Sequence, residues 1–167
     1  ETTALSKTLA QDKIQMDYLA IGKRSAQFLR YTRRNIVAVF DGFGDKVQYS
    51  QITPIAQMVI SEFIQKKYDL IYVVYPKFIS TLSQKSQRIQ LLPIALEKID
   101  QAVNYSQVPV FEPSSDEILN WLLPYYVEQL LYQFLLQSNA SEHSARMIAM
   151  KNATDNAKDV RKSLELE

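Results

Sequence analysis

The chain has 167 residues, 47% of them hydrophobic and 22% charged, with a net charge of +1. That is long enough for one domain with an ordinary core and too apolar for a disordered segment. The near-zero charge gives no strong field for nucleic acid or an anionic membrane surface, and the lack of cysteine excludes disulfides and thiolate metal sites.

A short helix is expected up to about Gln11, with Leu5 and Leu9 on one side. Asp17 to Gly22 (DYLAIG) reads as a short buried strand ending at a turn glycine. Lys23 to Arg34 follows as a helix, with Ala26, Phe28 and Leu29 inward and arginines outward. The β-branched run Asn35 to Phe40 is of strand length. Asp41 to Gln51, which holds Gly42 and Gly44, is a polar loop. Thr53-Pro54 then opens a helix, as a capping residue followed by proline at the first position. Its apolar residues Ile55, Val59, Ile60, Phe63 and Ile64 keep helical spacing to about Lys67.

Asp69 to Tyr75 (DLIYVVY) is the most strand-like run. This alternation of strands and helices predicts parallel βαβ units with right-handed crossovers. Beyond Pro76, Lys77 to Leu82 and Arg88 to Ile94 are expected to pair as an antiparallel hairpin turning at SQKS. A connection from Glu97 to Gln107 and a short edge strand from Val108 to Phe111 complete the sheet region. The expected fold is α/β and Rossmann-like: a mostly parallel sheet with an antiparallel hairpin, flanked by helices, plus a long protruding helix.

That helix is expected from Ser115 to the last residue. Ser114 and Glu117 form an S-x-x-E capping box. Leu119, Leu122, Leu123, Tyr126, Leu130 and Phe134 give a broad core stripe, and Pro124 predicts a kink. From about Asn139 large apolar residues give way to Ala, Met, Asn and charges. Three parts follow: a sheet domain over 1–113, a core-packing helical part over 114–138, and the start of a shaft over 139–167. In the shaft, Ala145, Ala149, Ala153 and Ala157 recur every fourth position as a ridge. Met147, Met150, Ala157 and Leu164 add an apolar seam near coiled-coil spacing. No second long helix is present to cover them, so a partner is expected.

Sites for chemistry are sparse. Gly22-Lys23-Arg24, after a strand and opening a helix, has the placement of a phosphate-binding turn. Neither G-x-G-x-x-G nor the Walker lysine motif is present, so a turn glycine beside solvated cations is the plainer reading. His143 is the single histidine, which removes most metal sites and favours a polar contact. No cofactor or metal is expected. Arg24, Arg30, Arg33 and Arg34 cluster around the first full helix, where a solvated face outweighs nucleic-acid binding. The tyrosines Tyr72, Tyr75, Tyr125 and Tyr126 fit core or interface positions. A small Rossmann-like nucleotide-binding module or enzyme using the Gly22 turn, and an RNA-binding adaptor using the arginines, are the rival functions.

The block SEHSARMIAMKNATDNAKD closely resembles the gamma subunit of F-type ATP synthases, just before that family's C-terminal shaft helix. VYPKFISTLSQ, QLLPI, VFEPSSDEILNWLLPYYVEQLLYQFLLQS, IGKRSAQFLR and TPIAQMVISEF are similar to other parts, so the resemblance covers roughly Tyr18 to Glu167. No initiator Met opens the chain and no stop signal ends its helix, so both ends read as cuts through a longer protein. The resemblance implies an N-terminal helix and a strand ending in D-R-G-L-C-G before Glu1, and the rest of the shaft after Glu167.

What it further implies is a non-catalytic central rotor stalk, coupling proton flow through a membrane c ring to ATP synthesis in the alpha and beta subunits. By position, Glu142, Arg146, Lys151 and Asp155 would meet the alpha/beta ring. Ala145, Ala149, Ala153, Ala157 and Met150 would pair with the chain's own N-terminal helix. Phe111 and Glu112 would meet the epsilon subunit and the c ring. The implied location is peripheral, on the cytoplasmic side of a bacterial inner membrane, with membrane contact only through the c ring. Pro76 replaces the family's Asn and should stiffen that strand exit. Val108 and Pro109 stand for aromatic or polar residues of some members. The short Leu96 to Gln107 connection leaves no room for the photosynthetic insert, and without cysteine chloroplast-type redox control is not expected.

Overall fold

The computed structural model describes residues 15–94 and 115–165. The elements run β1 (Tyr18–Ile21), α1 (Lys23–Tyr31), β2 (Ile36–Phe40), a 3₁₀ turn (Tyr49–Gln51), α2 (Thr53–Ile64), β3 (Ile71–Ser80), β4 (Ser83–Leu92) and α3 (Ser115–Glu165). The expected segments near Leu5 and Leu9, from Glu97 to Gln107 and from Val108 to Phe111, the cap at Ser114, and the candidate residues Phe111 and Glu112 lie outside the described residues.

β1 and β2 pair in parallel through the α1 crossover, with Ala20 opposite Val39. Gly22 makes this turn with φ 92°, and its N–H reaches the Phe40 carbonyl at 2.7 Å. Ser25 Oγ donates to the carbonyls of Ile21 and Gly22 and closes the first turn of α1. Ala26 and Leu29 bury against Ala20, while Phe28 is turned outward. A residue two positions from Ala26 lies on the opposite side of a helix, so Phe28 could not share the buried face.

Among the described residues the strands form two separate pairs, β1–β2 and β3–β4, so β3 hydrogen-bonds to β4 and not to β2. The α/β architecture is as expected, and the hairpin is longer than expected. β3 continues through Pro76, which stands opposite Ser86, and SQKS belongs to β4. The turn is Thr81-Leu82, with the Ser83 N–H held by Ser80 Oγ. Where a hairpin overhangs the core both of its faces are wet, so a polar stretch can be strand. Proline fits because alternate N–H groups of a two-stranded ladder point away from the partner strand.

Thr53 is the first residue of α2 and gives no side-chain cap. The chain enters α2 straight from the preceding 3₁₀ turn, which Gln48 and Gln51 cap reciprocally, and the first helical bond runs from the Ala56 N–H to Ile52 O. Ile52, Ile55 and Ala56 from this region form the main core with Val47, Tyr75, Leu91 and Leu92, and Val127, Leu131 and Phe134 of α3 cover it. The Tyr75 and Phe134 rings stack at 4.4 Å.

Both flanking helices stop in the same way. Arg33 (φ 52°) after α1 and Lys66 (φ 56°) after α2 take the left-handed conformation. The Arg34 N–H then bonds Leu29 O, and the Lys67 N–H bonds Glu62 O. Glycine usually fills this cap, and an L side chain there costs about 1–2 kcal/mol. Asp17, just before β1, ties these ends together by accepting from Asn35 Nδ2 (2.6 Å) and the Tyr68 hydroxyl (2.8 Å). Those two bonds hold its carboxyl below the usual carboxylate range.

Candidate partner-docking site on the long helix

α3 is a single helix of 51 residues that continues through Pro124. No helix of the described residues is long and apolar enough to cross a membrane. Its buried side comes at spacings of four and three: Val127, Leu131, Phe134, then Ser141. That repeat keeps one face on the domain over several turns. The expected stripe holds for Phe134 and partly for Leu130, but Leu119, Leu122, Leu123 and Tyr126 are exposed. Packing against β3 and α2 takes hold only from about Val127.

Polar contacts fix the helix where it leaves the domain. Ser141, 3% exposed, donates to Pro76 O at 3.1 Å. Asn139 Nδ2 reaches the carbonyls of Gly44 and Asp45, and His143 Nε2 lies 3.8 Å from Asp45 Oδ1. The loop with the two glycines thus receives the helix. Lower down, the Tyr49 hydroxyl donates to Glu128 Oε2 at 2.6 Å, and its ring meets Tyr132 edge-on. The hydrogen bond to that carboxylate, helped by burial, pushes the Tyr49 phenol up to about 12. No motif announced these contacts; only His143 was marked in the sequence, as a polar contact.

From Ala149 to Glu165 every residue is exposed. Ala145, Ala149, Ala153 and Ala157 all lie on the surface, as do Met150, Val160 and Leu164. Met150, Ala153, Ala157, Val160 and Leu164 follow three-four spacing, the seam of a coiled coil. Val160, which the expected seam of Met147, Met150, Ala157 and Leu164 left out, falls on this line. Met147 is exposed but sits off this line. Glu142 and Arg146 pair with each other at 2.6 Å, Asp155 lies 3.7 Å from Lys158, and Lys151 is exposed. Lys151 and Asp155 therefore lie on the free stretch, and Glu142 and Arg146 where the helix leaves the domain.

The other candidates gain little. The Gly22 N–H is already committed to Phe40 O, which leaves the turn short of a phosphate donor. A cavity of about 470 Å³ opens between the hairpin and α3, lined by Tyr75, Lys77, Gln87, Phe134 and Gln137 among others, and none of its lining comes from the Gly22 turn. Among the described residues no three His, Cys, Asp or Glu side chains gather as a metal would need.

The ATP synthase family model matches residues 1–167. The chain is 44% identical over 158 residues to an ATP synthase gamma chain of Roseiflexus castenholzii, covering 93% of this chain and 53% of that one. It is 40% identical over 162 residues to the ATP synthase gamma chain of Desulfitobacterium hafniense, covering 97% and 56%. The chain thus spans about half the length of the curated relatives it matches. Among solved structures it is similar in fold to a chain of the Tetrahymena thermophila mitochondrial ATP synthase central stalk and c-ring. That likeness has a TM-score of 0.62 at 22% identity, over 81% of this chain and 59% of that one. A chain of the Euglena gracilis mitochondrial ATP synthase rotor matches with a TM-score of 0.59 at 12% identity, over 95% and 63%.

Proposed function

The chain belongs to the gamma-chain family of ATP synthases, and we propose that it is part of a central rotor stalk that transmits torque and catalyses no reaction itself. The observation that carries this reading is the exposed three-four seam on a helix gripped firmly at its base. Torque needs a shaft anchored in a domain and stiffened by a partner helix, and this chain supplies the first and is patterned for the second. In this reading residues 139–167 begin the shaft, and 1–113 with 114–138 make the domain that holds it. Met150 and the alanines Ala145, Ala149, Ala153 and Ala157 pair with an N-terminal helix of the same protein. Glu142, Arg146, Lys151 and Asp155 face the alpha/beta ring, and Phe111 and Glu112 face the epsilon subunit and the c ring. The protein sits peripherally on the cytoplasmic side of a bacterial inner membrane and touches the bilayer only through the c ring.

The two ladders are read as parts of one mostly parallel, Rossmann-like sheet. Tyr68 supports this, because its side chain bridges from the approach to β3 across to Asp17 before β1.

Co-expression of the full-length chain with alpha and beta subunits, followed by gel filtration and an ATPase assay, tests the function. A complex with one copy per ring, whose activity falls when the chain is cut at Ser141, is expected. A monomer that ignores the ring refutes the proposal.

A further inference from the structure

We propose that residues 44–49 take the place of a partner helix at the foot of the shaft, so that the N-terminal helix of the same protein packs on the α3 seam only as far down as Asp45. The seam does not begin at Met150. Counted downward by fours and threes it passes through Arg146, His143, Asn139, Leu136 and Tyr132, so one coiled-coil line runs unbroken from Tyr132 to Leu164. Its two parts are covered differently. Below, Tyr132 meets the Tyr49 ring edge-on at 5.5 Å, Asn139 Nδ2 reaches Asp45 O at 3.3 Å, and His143 Nε2 lies 3.8 Å from the Asp45 carboxylate. Above, Met150, Ala153, Ala157, Val160 and Leu164 are all exposed. Arg146, between the two parts, is held by Glu142 of its own helix.

Paired helices run with their axes about 8–10 Å apart. A backbone within hydrogen-bonding reach of the seam side chains fills that space, so a second helix cannot lie on the line where the loop already lies on it. The partner stops or turns aside there. Its last contact on the line falls between Met150 and His143, which are about 10 Å apart along the axis. The outer side of the loop is open to meet it: Gly44 and Lys46 are exposed, and the Asp45 side chain is 81% exposed. Leu136 is the critical position, because it lies on the line between the two loop contacts of Tyr132 and Asn139 and is 43% exposed. A helix that ran on past the loop would cover it. The chain spans about half of its curated relatives, which leaves room in the same protein for a second long helix. That this helix is the occupant rests on the rotor reading, because the partner of a turning shaft must turn with it.

The test places photoreactive benzoylphenylalanine singly at positions 160, 150, 45 and 136 of the full-length chain, free and in the purified complex, and maps the cross-links by mass spectrometry. Positions 160 and 150 should join one helix N-terminal to this chain, at sites about ten residues apart. Position 45 should join the same helix about seven residues beyond the position-150 site, as His143 lies that far below Met150. Position 136 should give no product on that helix. Leu136→Lys should leave the position-45 and position-150 yields unchanged, whereas a helix packed over Leu136 would lose them. A product from position 136, a position-45 product on another subunit, or none from position 45 overturns the proposal. If positions 160 and 150 do not reach that helix, the pairing itself falls and the proposal with it. The expected products lie within one chain and form whether or not the ring is bound, so loss of alpha/beta ring binding would remove the rotor reading and leave the cross-link pattern to decide the stop.

Discussion

Replacing Tyr49 by Phe removes one hydroxyl and keeps the ring against Tyr132. The lost bond is short, at 2.6 Å, and its acceptor is a carboxylate on α3. Hydrogen bonds to charged groups contribute about 1.5–3 kcal/mol, and partial exposure of this pair puts the expected loss near the bottom, about 1–2 kcal/mol. For a chain of this size that lowers the melting temperature by about 3–6 °C. The pH dependence gives a sharper check. Tyr49 ionises at about 12 when folded and near 10 when unfolded. The unfolded state therefore loses its proton first, and the contribution of Tyr49, complete below pH 10, is lost as pH rises from 10 towards 12. Urea unfolding followed by circular dichroism at pH 7, 9, 10 and 11 should show the wild-type advantage shrinking only above pH 10. The other tyrosines titrate in both proteins, so they cancel in the difference. Equal stability at pH 7, or a difference that stays constant from pH 9 to 11, refutes the reasoning.

Two further substitutions probe the anchor and the turn. Phe134→Ala removes a ring 5% exposed and stacked on Tyr75; a loss of about 3–5 kcal/mol is expected by chemical denaturation, and a loss under 1 kcal/mol would contradict the packing described. Gly22→Ala meets no atom within 4 Å of the added carbon, so its cost should be backbone strain alone, about 1–3 kcal/mol at φ 92° and ψ 156°. The test is a melting curve, and an unchanged midpoint would mean that the turn relaxes freely.

Patterns that local physics writes into a sequence were readable here. The β-branched run of β2, the proline near the start of α2 and the alanine-rich end of α3 each announced their element through their own residues. Phe28 and the SQKS stretch misled for a common reason: hydrophobicity stood for burial and polarity for a turn. Phe28 is exposed because of its angle on α1, and SQKS is strand because the hairpin overhangs the core. The grip on α3 was hardest to read. Tyr49 and Glu128 are 79 positions apart, and Ser141 and Pro76 are 65 apart, so each bond exists only once the fold has brought them together. The free seam was mostly legible, because a face patterned for a partner helix keeps its period whether or not the partner is present.

The clamp formed by Asn139, Ser141 and His143 also sets a length. Beyond His143 the helix is a cantilever of about 33 Å, at 1.5 Å per residue. The sideways give of a beam fixed at one end grows with the cube of its free length. Were those three side chains to let go and the support retreat to buried Phe134, the arm would lengthen to about 46 Å and its tip would yield roughly three times as easily. Three polar contacts at the mouth of the domain thus set how faithfully a push at the tip reaches the core.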